Sequence, residues 1–368
     1  MNIGRTSYRV YSMIKDKSIF IKNIYWMLAY AFTVLQHGEY EYVAKEEFVN
    51  IHNLFAAILA GGISRQLKQG LYREYVNHKE NVLTIHGKID MPGTMKNRIA
   101  RKQHAACEFD ELSENNLLNQ IIKTTAFLLL RNENVKTQYK TELKKVMLFF
   151  TNVAEISPKA IRWNTIRFQR NNQSYRMLVS ICQLVLEGML MTTDKGEYKL
   201  ASFLDDQEMS RLYEKFILEF YRKECPEIKA SASQIDWALD DDGDSTYLPT
   251  MQSDIMLSKG NTVLIIDAKY YTRTMQSHYN VNKFHSGNLY QLFTYVKNKD
   301  KDTRFGNQPH TVSGMLLYAK TDETEQPNGK EYFMNNNMII VRTLDLNREF
   351  SEIAEDLHEI ANKYVLDR

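Results

Sequence analysis

Cysteine is scarce. Cys107, Cys182 and Cys225 are far apart, odd in number and form no CxxC pair. Neither a disulfide framework nor a zinc site is expected, and free thiols point to a reducing, cytoplasmic setting. There is no HExxH and no GxSxG, which removes the zincin and nucleophile-elbow hydrolase classes. There is no GxxxxGK[ST] either, so the chain is not expected to bind a nucleoside triphosphate through a P-loop. The longest apolar run, Ile24–Leu35, is too short to span a bilayer. The N-terminus has scattered Arg and Lys without an apolar core and small-residue cleavage site. Neither sign of charge dominates. With a net charge of +2, any nucleic-acid surface must be a local patch. Internal repeats and low-complexity tracts are also missing.

What is present suffices for folded domains. Hydrophobic residues make up 43% and charged residues 25% of 368 positions, enough for two cores, and the length favours two domains. Residues 1–18 read as an irregular arm. From Ile19 the chain starts like a short strand and becomes a helix, with Ile24, Met27, Leu28, Ala31, Val34 and Leu35 at helical spacing. An amphipathic helix is expected over Glu46–Leu67, weakened at Gly61-Gly62. Strands over 71–76 and 82–90 flank an expected turn, Asn77-His78-Lys79-Glu80. Met91–Lys102 reads as basic and irregular, and is followed by the acidic run Glu108-Asp110-Glu111, with which its basic residues could pair. Two helices then end near Arg131 and residue 150. Pro158 is the expected boundary between a mostly helical domain with a small β element (1–158) and a second domain (159–368).

The second domain opens with helices over 176–191 and 206–224, the latter capped by Asp205 or Asp206 and stopped by Pro226. Strands are expected at 228–238, 312–319 and 338–344, a solvated acidic loop at 240–244, and helices at 286–298 and 348–364. At its centre Thr250–Tyr271 reads as a β-hairpin. The first strand carries Asp254, Ser258-Lys259-Gly260-Asn261 turns, and the apolar run Val263–Ile266 ends in Asp267-Ala268-Lys269. Side chains alternate along a strand, so Asp267 and Lys269 share one face, and Asp254 can sit opposite. Two carboxylates and a lysine at a strand end can hold Mg²⁺ and a water against a phosphodiester. Glu214 on the preceding helix is a further candidate acid, with Glu219 as its rival. A surface Asp–Lys pair at a strand end is the competing, structural reading.

Two further stretches could touch nucleic acid. In Phe284–Leu292, Ser286 can cap a helix whose free N–H groups favour phosphate. Gln291 and Tyr295 are one turn apart and can face the hairpin. Gln291 can steady a water or the DNA backbone, and Lys283, His285 and Asn288 can contact DNA. Between Glu155 and Glu187 no acid occurs, while Lys159, Arg162, Arg167, Arg170 and Arg176 alternate with Trp163, Phe168 and Tyr175. Such a stretch can neutralise phosphates and stack on bases, or be a solvated linker whose aromatics pack inward.

These residues look like the PD-(D/E)xK nuclease superfamily, with Asp254, Asp267 and Lys269 in the motif positions. KNIYWMLAYAF, HGKID, FDELSENNLLNQIIK, EMSRLYEKFILEF, DIMLSKGNTVLIIDAKYY and KFHSGNLYQLFTY, in that order, resemble more closely the McrC family, the nuclease subunits of McrBC-type modification-dependent restriction systems. The resemblance runs from about Ile19 to the C-terminus and leaves residues 1–18 outside. It implies a partner, McrB, a ring-forming AAA+ GTPase that binds the GTP and reads methylcytosine. It also implies that the N-terminal half docks on that ring and stimulates it while the C-terminal domain cuts methylated double-stranded DNA. The expectation is therefore an α+β protein whose C-terminal mixed sheet, flanked by helices, carries a Mg²⁺-dependent endonuclease site, with Mn²⁺ as a possible substitute. Asp254, Asp267 and Glu214 are its expected metal ligands, with Lys269 and Gln291 beside them, and no membrane is involved. The alternatives are a degenerate adaptor that activates an AAA+ ring, and a stand-alone repair nuclease.

Overall fold

The computed structural model describes residues 17–32, 46, 48, 50–170, 172–192, 198–201, 204–239, 246–271, 275–278, 281–302, 305, 306, 308–321, 323, 326, 327 and 329–367. Most of the arm expected at 1–18 lies outside them, as do Val34, Leu35 and the acidic loop at 240–244. Within the described residues the fold is α+β, and no helix is long and apolar enough to cross a membrane. The chain forms two compact units, one of Met1–Ile51 with Phe203–Arg368 and one of His52–Ser202.

The first helix, α1 (Lys17–Ala31), belongs to the first of these units; it begins at Lys17, with no strand at Ile19. The second unit starts with α2 (Ile51–Leu67), buried through Leu54, Phe55, Ile58 and Leu59 and unbroken at Gly61-Gly62. Its helical residues begin at Ile51 rather than Glu46.

Strands β1 (Glu74–Val82), β2 (Lys88–Ile89) and β3 (Ala105–Ser113) form an antiparallel sheet in the order β1-β3-β2. Residues 77–80 are thus strand and not turn, and the acidic run at 108–111 is their partner. Cross-strand polar pairs explain this. Lys79 lies 3.5 Å from Glu108, Asn77 Nδ2 donates to Asp110 Oδ1 at 3.1 Å, and His78 stacks on Phe109 at 5.7 Å. Met91–Lys102 is not irregular either. It contains α3 (Met91–Ile99), with Pro92 in its first turn, where the missing N–H costs nothing. Gly93 lets it lie close on β3; a Cβ there would come within 2.7 Å of Ala106 Cβ.

Next come α4 (Leu117–Arg131), capped by Asn116, α5 (Thr137–Met147) and α6 (Tyr175–Gly188). A short ladder of β4 (Leu190–Thr192) and β5 (Tyr198–Leu200) follows. Because the apolar face of α6 packs on α4, the boundary expected at Pro158 falls inside this unit; the units divide at 51/52 and 202/203 instead.

The rest of the first unit begins with α7 (Asp206–Glu224), capped by Asp205, whose carboxylate accepts from Glu208 N at 2.8 Å. Short strands β6 (Lys229–Ser231), β7 (Gln234–Ile235) and β8 (Met251–Gln252) precede the hairpin of β9 (Ile255–Lys259) and β10 (Thr262–Lys269). Then come the ladder of β11 (Met275–His278) and β12 (Val281–Phe284), helix α8 (Ser286–Asp300), strands β13 (Thr311–Ala319), β14 (Lys330–Met334) and β15 (Asn337–Leu344), and α9 (Phe350–Ala361). Six strands make one mixed sheet in the order β14-β15-β13-β10-β9-β6, with β10, β13 and β15 mutually parallel. β10 and β13 are buried nearly end to end, as strands covered on both faces are. Leu292 and Val296 of α8 join Val263, Ile265, Val312, Leu316 and Val341 in one cluster. α7 packs on β6, β9, β10 and α1. Tyr30 of α1 meets Phe216 and Phe220 at 5.7 and 5.4 Å and donates to Glu224 at 2.8 Å. That aromatic seam places α1 in the sheet-bearing unit, not in the N-terminal domain expected from sequence.

Candidate active site at the end of the central strand

The β9–β10 ladder runs out at one pair of residues, Ile255 and Ile266. One step further, Asp254 would face Asp267, but Asp254 has left the strand. Its Oδ2 instead accepts from the backbone N–H of Ala268 at 3.2 Å. A carboxylate thus replaces the strand partner that this N–H would otherwise lack. On the other side β13 continues, pairing Asp267 with Leu316 and Lys269 with Tyr318. The strand end is therefore rigid on one flank and open to side-chain chemistry on the other.

Three charged groups meet there. Lys269 Nζ donates to Asp267 Oδ1 at 2.6 Å and lies 3.7 Å from Asp254 Oδ2. Asp267 is only 2% exposed, and its Oδ2 is buried with no hydrogen-bond partner among the described residues. Burial lifts the Asp267 carboxyl to about 7; the Lys269 ammonium pulls it down and Asp254 pushes it up again. Burial opposes the charge on Lys269, but Asp267 and Asp254 outweigh it and hold the ammonium above its ordinary range. Two carboxylates share one cation, so this corner is short of positive charge.

The remaining expected residues divide. Glu214 is half-buried on α7 and accepts from Ser210 Oγ at 3.1 Å. Burial and then the charge of Asp254 raise its carboxyl, while Ser210, Lys269 and Arg211 hold it back. Glu219, its rival, is spent on Arg222 at 2.6 Å. The structure thus brings Glu214, not Glu219, within electrostatic reach of the strand end. Even so, among the described residues no three Asp, Glu, His or Cys side chains form a ready cation cage. The expected trio of Asp254, Asp267 and Glu214 is not assembled as such, because Lys269 is paired between the first two and Glu214 is turned to Ser210. What is present fits Mg²⁺ in its usual form, held by one or two carboxylates and several waters. The orphaned Asp267 Oδ2 is a free hard ligand for it.

Gln291 and Tyr295 are one turn apart on α8 as expected, but Gln291 Nε2 donates to Tyr295 at 2.9 Å and not to the strand end. Ser286 is the first helical residue, not the cap. His285 holds the cap position without a side-chain capping bond, because it is the last residue with extended backbone. Its ring lies 5.2 Å from Tyr271, and Lys283 is exposed. Asn288, expected to meet DNA, uses both ends of its amide internally. Tyr271 donates to its Oδ1 at 3.3 Å, and its Nδ2 donates to Tyr318 at 3.2 Å. Sequence gave no reason to choose Tyr271 or Tyr318; the parallel register that sets Tyr318 beside Lys269 is its only signal. Arg162, Arg167 and Arg170 are exposed in the other unit. Of the aromatics among them, Trp163 and Phe168 are half-buried, and Tyr175 is buried and accepts from Tyr72 N at 2.8 Å. They pack inward.

The model of one family, the McrBC 5-methylcytosine restriction system component, matches residues 10–319. The chain belongs to that family. A relative, the type IV methyl-directed restriction enzyme EcoKMcrBC of Escherichia coli K12, is 26% identical over 348 residues, 94% of this chain and 98% of that protein. Among solved structures, the chain is similar to one from a half-complex of Thermococcus gammatolerans McrB AAA+ hexamers with bound McrC. The TM-score is 0.51 at 18% identity, over 92% of this chain and 76% of that one. This last likeness bears on the fold alone, and it accords with the α+β architecture of a McrBC family member.

Proposed function

We propose that this chain is the Mg²⁺-dependent DNA endonuclease subunit of a 5-methylcytosine-dependent restriction complex, acting with an McrB-like AAA+ GTPase that binds the GTP. The observation that carries the reading is the strand end itself: Asp254 and Asp267 facing one lysine, with a buried carboxylate oxygen left without a donor. Asp254 and Asp267 would hold the metal, with Glu214 supporting from α7 at longer range. When bound, Mg²⁺ supplies positive charge beside the scissile phosphate and a polarised water. Lys269 would orient the attacking water and offset charge building on the phosphoryl oxygens. Lys283, His285 and Gln291 are the candidates to steady backbone phosphates. Arg162, Arg167 and Arg170 offer a separate basic surface for DNA. The family's name and the Thermococcus assembly of McrB hexamers with McrC support the partner. Docking on that ring, with stimulation of its GTP hydrolysis, falls to the N-terminal half.

The test is cleavage of methylated duplex DNA by the purified pair with GTP, titrated with Mg²⁺ and then Mn²⁺. Metal-dependent cutting is expected, absent when either protein is omitted. Cutting that ignores EDTA, or none at any metal concentration, contradicts the proposal.

A further inference from the structure

Beside the strand end lies a hydrogen-bonded chain that the nuclease reading leaves without a role. Tyr271 donates to Asn288 Oδ1 at 3.3 Å, and Asn288 Nδ2 donates to the hydroxyl of Tyr318 at 3.2 Å. With Oδ1 accepting from Tyr271, Asn288 has its N–H groups to offer the second phenol. Tyr318 therefore uses its oxygen as acceptor and keeps its own hydrogen. Its side chain is fully buried, and the two tyrosine rings stand 6.2 Å apart.

Tyr318 is also placed where that hydrogen matters. It is the register partner of Lys269, and Asp267 pairs with Leu316, two residues before it. Paired residues of parallel strands point to one side and alternate along each strand, so Asp267, Lys269 and Tyr318 leave the same face. Among the described residues Tyr318 donates to nothing, and Asp267 Oδ2 is a buried acceptor with no donor. A buried donor and a buried acceptor left open on one sheet face are a standing cost unless something polar satisfies them. A water meets both requirements, because it can accept from Tyr318 and donate to Asp267 Oδ2.

We infer that Tyr318 is a positioning residue of the nuclease site, held by Asn288 and Tyr271 so that its hydroxyl orients the oxygen that occupies the corner between Asp267 and Lys269. This rests on the nuclease reading above and adds a residue to it. It also moves Asn288 from an expected DNA contact to the support of Tyr318. The arrangement ties the first turn of α8 to β13.

Tyr318→Phe keeps the ring that fills the core and removes only the hydroxyl. Asn288→Ala removes its support. Each is measured in the full complex on methylated DNA with Mg²⁺ and GTP, alone and combined. The full chain is measured in parallel for thermal midpoint and for calorimetric affinity for Ca²⁺. Each single variant should lower kcat about tenfold, the scale of one hydrogen bond, with KM for DNA unchanged. The double variant should lose no more than the worse single one, because both act through the same hydroxyl. The midpoint of Tyr318→Phe and its Ca²⁺ affinity should match wild type. A Tyr318→Phe complex that cuts at full rate overturns the inference. So do losses that multiply, or a rate loss matched by a falling midpoint, since those describe a merely structural tyrosine. A wild-type complex that does not cut removes the nuclease reading, and this inference with it.

Discussion

Burial holds the Asp267 carboxyl at about 7 even though Lys269 donates to it, well above the ordinary 3.8. The consequence for stability has a definite sign. A carboxyl whose folded value is raised contributes stability that is fully present below its unfolded value and is lost as pH rises through its folded one. Metal-free protein should therefore lose thermal stability through Asp267 between about pH 4 and pH 7. His52 works in the opposite sense, since burial lowers it, and Lys269, being raised, contributes no slope in this range. The informative quantity is the difference between wild type and Asp267→Asn, melted in EDTA. That difference should move in favour of the variant as pH rises, and a difference flat from pH 4 to pH 8 would show that Asp267 ionises normally. For the chemistry, ligation needs the ionised carboxylate, so cleavage at limiting Mg²⁺ should climb between pH 6 and pH 8. Glu214→Gln should cut cleavage about tenfold, while Glu219→Gln, which loses a surface pair worth at most about 1 kcal/mol, should stay within twofold. Asp267 and Lys269 were legible because strand alternation puts them on one face from sequence alone; Asp254 was expected on the first strand but lies just before it and meets them through the Ala268 N–H. The choice of Glu214 over Glu219 was not, because both sit on one amphipathic helix and only the orientation of α7 separates them. Tyr318 was invisible, since parallel register cannot be read from either strand by itself.

The distance between α8 and the sheet is set by Gly314. A Cβ there would come within 2.7 Å of Val296 Cγ2 and 2.9 Å of Leu292 Cγ. Gly314→Ala should cost roughly 1–3 kcal/mol by overpacking and should lower cleavage as well, because α8 carries Asn288 and Gln291. A denaturant melt beside a cleavage assay checks both, and a neutral variant would mean that α8 is loosely seated. At the start of α7, Asp205→Ala should cost about 1 kcal/mol by freeing the N–H of Glu208. The main elements of this unit, α7, β10, α8, β13, β15 and α9, were legible because their apolar content is strong, as in the run Val263–Ile266 and the stripe of α7, whereas the ladder of β11 and β12 and strand β14 were not expected. The misread elements lack it. β1 and β3 are largely exposed along 74–82 and 108–113, so cross-strand charge and polar pairs define them and no apolar alternation marks them. α3 is short, basic and carries both Pro92 and Gly93, which in sequence resembles a loop.

At the scale of the molecule, sequence order and compactness disagree. The first helix is built into the sheet-bearing unit through Tyr30, Asn23 and Trp26, with Asn23 Nδ2 donating to the carbonyls of Leu346 and Arg348 at 2.7 Å each. No local signal could reveal that, because α1 is apolar in a way that suits any core. It follows that truncating the chain before Ile51 should unfold the sheet unit rather than merely detach a docking region, which circular dichroism would report; a truncated chain with an intact sheet contradicts the seam. The measurement that bears most directly on the proposed division of labour is Asp267→Ala in the assembled complex, with DNA cleavage and GTP hydrolysis followed in one sample. Cleavage should vanish while the chain still binds the GTPase and stimulates it to the wild-type extent. Persistent cleavage would show that the strand end at Asp267 is not the cutting site.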